Sequence, residues 1–359
     1  MRTSPFLSYD LEKKIHRSAK DEWQPHQTQS DRSFEWWYFT AVVHDTAGTP
    51  YFLFWDIVSF AGKRYREQMP HLAAQIKPGQ ALFSCLFSLS NYTTGRHRAE
   101  VPNFVINEQE VWDADTSTLR LRSAEHDCSW SYDGENLNLA VTSPTMSFHL
   151  GMQGGSQVMW AKDKLGVEGL IQEGPEGDYS FYYSLPRLRI SGSVTYTDET
   201  GHPTTVEVSG SGWVDRQWGD FMTNVWEWGS LRFNNGARVN LYNFYNGHQV
   251  ATYQKADGSL HWFDHFLVKQ NGYAKTAAGK WVSWGWSYEF PMEVEGSRRY
   301  RLVPFSQMDM VEAPGAGAGF FEGPSHLIDE STGKQVGISV NESMDVSIME
   351  NAPYGPHQH

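Results

Sequence analysis

The sequence predicts an all-β protein of 359 residues, built as two antiparallel β-barrel domains with a short N-terminal helix. Three observations predict it. Helical periodicity is confined to the N-terminus, while β-branched and aromatic runs recur to the C-terminus between turn-forming residues. Asn235-Gly236, Asn246-Gly247 and Asp257-Gly258, eleven residues apart each time, mark consecutive tight hairpins. The length is about twice that of an ordinary domain.

The elements follow in order. Leu11 and Ile15 lie one helical turn apart behind Asp10, a good N-cap, and predict a helix over 11–20. Strands are predicted at 34–39 and 51–60, separated by the turn Thr46-Ala47-Gly48-Thr49-Pro50. Between 226 and 263 the three hairpin signals predict a four-stranded meander with type I′ turns, whose two central positions need positive φ. Within it Arg238, Asn240 and Tyr242 alternate with Val239, Leu241 and Asn243, so one strand offers two different faces. A barrel lined by polar and aromatic side chains would need that mixture. Glu35-Trp36-Trp37-Tyr38 is loosely echoed by Trp226-Glu227-Trp228, in keeping with two domains. The boundary is placed at Leu185-Pro186, where proline interrupts strand pairing, giving domains 1–185 and 186–359. Nothing there resembles a flexible linker, so the domains are expected to pack together.

Composition removes several function classes. Twenty-nine Lys and Arg against 42 Asp and Glu leave a net charge of −13. That charge argues against a nucleic-acid partner and against an anionic membrane surface. The apolar runs, such as 51–55, are too short to cross a bilayer, so no stable membrane insertion is expected. No apolar leader opens the sequence, and a cytoplasmic location is expected. Cys85 and Cys128 are too few for a disulfide framework and lack zinc-site spacing, although one disulfide between them stays open. The 15 Trp, 17 Tyr and 20 Phe exceed what filling a core demands. Trp55, Trp160, Trp281, Trp284 and Trp286 would suit a bulky, flat, hydrophobic small molecule.

The chemistry-bearing motifs are few. The glycine run from Pro314 to Gly319 has neither a dinucleotide nor a P-loop pattern and is read as a turn or lid. Gly210-Ser211-Gly212 is in the wrong register for a nucleophile elbow. His261 and His265 would lie about 13 Å apart along a strand, too far for one metal, so His261 is read as structural or substrate-polarising. His357 and His359 read as a tail. In Gly212-Trp213-Val214-Asp215-Arg216-Gln217-Trp218-Gly219-Asp220, Asp215 stands between two indoles. Either those rings desolvate it and raise its pKa, as a general acid requires, or Asp215 and Arg216 pair to close a barrel rim. Glu35 could likewise hold a neighbouring arginine, with a tryptophan of the first strand plugging the barrel end.

Ser33-Phe34-Glu35-Trp36-Trp37-Tyr38-Phe39 and the 212–219 segment resemble the two signatures, E-W-W-Y and W-x-D-x-x-W-G, of the carotenoid 1,2-hydratase (hydroxyneurosporene synthase) and AttH superfamily. Similar segments follow in order at 182–188 with Ser191-Gly192, at the 228–242 hairpin and at Phe320-Phe321-Glu322-Gly323. The resemblance runs from about residue 30 to 345. It implies two lipocalin-like barrels packed together, a hydrophobic pocket, and neither metal nor organic cofactor. Members include isoprenoid hydratases, a kievitone hydratase and fungal Diels–Alderases, and tocopherol cyclase is similar at greater distance. The signature aspartate, here Asp215, is the hydratases' proposed proton donor. Arg216-Gln217 departs from the hydratase, which carries a histidine-containing version, and no histidine lies within ten residues of Asp215.

The resulting expectation is a cofactor-independent enzyme of secondary metabolism acting on a hydrophobic alkene or polyene, isoprenoid or polyketide. Asp215 would protonate a double bond for hydration, dehydration or cyclisation, with Tyr38, His261 or Glu322 handling water or the second proton. Trp37, Trp55, Trp213, Trp218, Trp226, Trp228 and Tyr242 would line the substrate and stabilise a cation. The alternatives are a pericyclase that folds a linear polyene and a non-enzymatic carrier of a lipid or pigment.

Overall fold

The computed structural model describes residues 4–173, 178–198, 200–221, 225–313 and 318–346. The architecture is all-β, and it divides into two compact units. Unit 1 comprises Met1–Val158 with Phe181–Asp220, and unit 2 comprises Met159–Ser180 with Phe221–His359. The boundary expected at residue 186 is corrected: it falls inside one continuous strand, Tyr179–Thr197. Pro186 forfeits a single N–H, and the buried Leu185 and Leu188 on either side hold the strand in place.

Unit 1 is a curled antiparallel sheet. Its first strands are β1 (Ser33–Asp45), β2 (Pro50–Ser59), β3 (Gln80–Asn91) and β4 (Arg96–Glu100). The order is β4-β3-β2-β1, then the Pro203–Asp220 strand, then Tyr179–Thr197 and on to the strands between 112 and 153. One face encloses a core in which Trp55 stacks on Trp130 and Trp23 meets Trp130 edge-on, at 5.3 and 4.9 Å. Two short helices, α1 (Lys63–Arg66) and α2 (Pro70–Ala73), lie in the β2–β3 connection. Phe60, Met69 and Leu82 form a small apolar cluster there, with Phe34, Tyr65 and Leu72 against it.

The helix expected over 11–20 does not form. Asp10 does accept the Lys13 backbone N–H at 3.0 Å, but Lys14 turns left-handed at φ 55° and Asp10 bridges to Ile15. Ile15 is 70% exposed, so the segment has no apolar stripe to bury and nothing to offset helix nucleation. The helical turn near the N-terminus is instead the 3-10 turn Asp21–Trp23, anchored by the fully buried Trp23.

Unit 2 contains the expected meander, with strands Trp226–Phe233, Arg238–Phe244, Gln249–Gln254 and Leu260–Phe263 paired in sequence. Its sheet continues through Gln335–Ser343 and Ala318–Asp329. The turns differ from type I′. In each, the glycine N–H returns to the carbonyl three residues earlier, at 2.9–3.0 Å, and only the glycine is left-handed, with φ of 96°, 89° and 91°. Each is a type I turn closed by a glycine bulge. Asn235, Asn246 and Asp257 keep negative φ because their side-chain oxygens accept the N–H two residues on, at 3.1, 3.1 and 2.9 Å. The interior gathers Leu231, Phe233, Val239, Leu241, Tyr253 and Trp286. Among the described residues no helix is long and apolar enough to cross a membrane.

Candidate active site

Strand alternation divides both signature motifs between the two faces of the unit 1 sheet. Glu35, Trp37, Arg216 and Trp218 point into the interior, and Trp36, Tyr38, Trp213, Asp215 and Gln217 point the other way. Asp215 and Arg216 therefore cannot pair.

Arg216 is fully buried, and its guanidinium donates to Glu35 at 2.5 Å and to the carbonyls of Glu22, Gln24, Trp36 and Gln217 at 3.0–3.2 Å. It lies 3.8 Å over the Trp37 ring and 5.3 Å from that of Trp218. His26 completes the network, with Nδ1 3.0 Å from Glu35, Nε2 2.8 Å from Glu22, and its ring stacked on Trp218 at 4.9 Å. Burial pushes the Glu35 carboxyl up, but Arg216 and His26 more than offset it and hold it below the usual carboxylate range. This knot ties the N-terminal segment across the interior. Trp37 donates its indole N–H to the Trp23 carbonyl at 2.9 Å, and Trp55 points its own at Cys85 Sγ at 2.6 Å. Trp37, Trp55 and Trp218 thus lie in the core, on the face opposite Asp215. Cys85 and Cys128 are buried free thiols.

On the other face, three strands place Asp215, Tyr38 and Asp56 directly beside one another. The flanking rows carry Gln217, Trp36, Val58 and Ser84 on one side, and Trp213, Thr40, Phe54 and Ser88 on the other. Asp215 is 2% exposed and accepts the Trp213 indole N–H at 2.7 Å. Only one of its two neighbouring tryptophans touches it, because Trp218 is an odd number of residues away. Asp56 was not singled out from the sequence, although one carboxylate inside the apolar run 51–60 was a signal. Opposite-strand Cα atoms lie about 5 Å apart, so the Cα atoms of Asp215 and Asp56 stand about 10 Å apart with that of Tyr38 between them.

Toward the sheet edge, His97 of β4 lies opposite Ser90, whose Oγ is 2.9 Å from its Nδ1. Burial lowers its pKa from 6.5 to about 4. The imidazole stays neutral in the folded chain at a pH where the unfolded chain binds a proton. Its contribution is therefore complete above 6.5 and lost as pH falls toward about 4. Between pH 7 and pH 5 we expect a loss of about 1–2 kcal/mol in urea unfolding that His97→Gln removes. An equal loss in both proteins would contradict it.

Unit 2 presents a comparable row. Glu322, Glu342, Trp228 and Tyr242 stand side by side on four strands, with Trp226 and Phe244 paired in the next row. The Tyr242 and Phe244 rings stack at 5.2 Å. Glu322 is buried. His261 is not brought to this row: it pairs with Tyr253, whose side chain belongs to the opposite, interior face, and stacks on it at 5.7 Å. The sequence echo has structural content, because Glu227, like Glu35, is an interior carboxylate. It accepts from Asn243, Gln270 and Trp286 at 3.1, 2.7 and 3.1 Å.

Among the described residues no cluster of His, Cys, Asp and Glu is arranged to hold a metal ion. Residues 314–317 of the glycine run, and His357 and His359, lie outside the described residues.

The AttH-like family model matches residues 21–337. Among solved structures, an AttH protein from Nitrosomonas europaea superposes with a TM-score of 0.70 at 16% identity, over 92% of this chain and 97% of that one. Kievitone hydratase from Nectria haematococca gives 0.62 at 15% identity, over 92% and 93%. CghA, solved with Sch210972, gives 0.58 at 11% identity, over 92% and 93%. The fold they share with this chain is all-β and lipocalin-like. No curated protein matches the chain in sequence.

Proposed function

The chain belongs to the AttH-like family, and from that premise we propose that it is an enzyme of the hydratase and cyclase type acting on a hydrophobic alkene or polyene of secondary metabolism. One observation carries the reading: Asp215 is buried, faces away from Arg216, and stands in line with Tyr38 and Asp56. The kievitone hydratase fold supports it as precedent for hydration on this scaffold.

In the proposed reaction the Asp215 carboxylic acid protonates one alkene carbon. The faces of Trp213, Trp36 and Phe54 stabilise the cation, each by up to ~2 kcal/mol when desolvated. Water adds to the cationic carbon, and Asp56 takes the proton that the water releases. Loss of a neighbouring proton to Asp56 instead gives a rearranged alkene, and where a second double bond of the same molecule first attacks the cation to form a carbon–carbon bond, loss of a proton from the new cation gives the cyclised alkene. Tyr38 orients the group between the two carboxylates. Both proton transfers use side chains and water, so the reaction calls on no cofactor.

The test is turnover in D2O with kievitone and farnesol as probes. Acid-initiated chemistry places deuterium on carbon. A cyclised product without deuterium would instead establish the pericyclase, and a bound, unchanged probe would establish the carrier.

A further inference from the structure

β3 lines the Asp215 face with Ser84, Leu86, Ser88 and Ser90 at alternate positions. Leu86, opposite Asp56, is its apolar member, and a wall built for plain hydrocarbon would carry leucine or valine at the other three positions as well. Ser90 is engaged with His97. Ser88 is 1% exposed, and its Oγ has no hydrogen-bond partner among the described residues. A hydroxyl buried in this way is costly unless something donates to it or accepts from it. Ser88 lies opposite Phe54, on the strand next to that of Asp56. Its place relative to the acid is set by strand order: Pro203–Asp220, β1, β2 and β3 are consecutive. Three strand spacings of about 4.8 Å, and two residues along the strand, put Ser88 about 16 Å from Asp215.

We infer that the substrate is an oxygenated hydrophobe, with a hydroxyl or carbonyl about 16 Å from the double bond that meets Asp215, and that Ser88 holds that oxygen. The inference rests on reading this face as the active site. A serine hydroxyl both donates and accepts, so it suits either oxygen function. A pure hydrocarbon would leave Ser88 buried and unsatisfied, and the site would discriminate against it by the same hydrogen bond.

The experiment compares farnesol with its hydrocarbon analogue lacking the hydroxyl, by quenching of tryptophan emission, in the wild type and in Ser88→Ala. The wild type is expected to bind farnesol about tenfold more tightly than the analogue. In Ser88→Ala the preference should fall to about twofold, with the analogue's affinity unchanged and thermal unfolding no lower, since the lost hydroxyl has no partner. Ser88→Cys carries the same comparison should the alanine variant fail to fold. Equal binding of the two probes, or a preference that survives Ser88→Ala, overturns the inference and leaves the active-site reading standing. A buried water on Ser88 would give that result. Failure of both probes to bind overturns both.

Discussion

Replacing Arg216 with methionine is expected to destabilise unit 1 by about 3–5 kcal/mol, the cost of leaving a buried ionised partner uncompensated. Glu35 would keep only His26 beside it, and three buried carbonyls and the half-buried one of Gln24 would lose a donor. The double variant Glu35→Gln/Arg216→Met should recover part of the loss, because it removes the orphaned charge. The pH dependence has a defined sign. In the wild type Glu35 titrates below 4.5, so its contribution is present above 4.5 and lost as pH falls through the depressed folded value. Without Arg216, burial dominates and the carboxyl takes up its proton more readily. The penalty of Arg216→Met should therefore be largest near pH 7 and shrink below about 4.5. Urea unfolding at both pH values measures it. A loss under ~1 kcal/mol at pH 7 would mean the knot is not what holds the N-terminal segment.

What could be read from the sequence was local, and what could not was decided by distant contacts. Hairpins at Gly236, Gly247 and Gly258 depend on a few neighbouring torsions, so their spacing announced the meander even though the turn type differed. The helix over 11–20 failed because capping and spacing say nothing about whether a face exists to bury Leu11 and Ile15. The division of the chain failed for a related reason: 181–220 joins unit 1 through pairing of Asp215 with Tyr38, residues far apart in sequence. Within the site, the W-x-D-x-x-W-G signature invites reading its members as one cluster. Applied to the same letters, period-two alternation separates Asp215 from Arg216 and Trp213 from Trp218, so that signal was available. Asp56 was equally visible as a charge in an apolar strand, and it acquires meaning only through its register with Tyr38. Ser88 carried no sequence signal, because a serine in a strand is ordinary until its burial and missing partner are seen.

Asp215→Asn is expected to lower turnover of whichever probe reacts by about 10²–10⁴-fold, the usual contribution of a positioned general acid, while binding changes by no more than about threefold. The substitution is nearly isosteric, and the amide oxygen can still accept the Trp213 N–H, so folding should change by less than about 1 kcal/mol. That split is the informative part. A purely structural aspartate would lose stability and binding together, whereas a proton donor loses kcat alone. Deuterium incorporation sharpens it, because the variant should bind the alkene in D2O and leave it unlabelled. Asp56→Asn should differ in kind: Asp215 still protonates carbon, so the recovered alkene gains deuterium although hydration is suppressed. If Asp215→Asn turns over the probe at the wild-type rate, Asp215 is not the acid. The line of Asp215, Tyr38 and Asp56 would then be a binding surface that positions its ligand without giving it a proton.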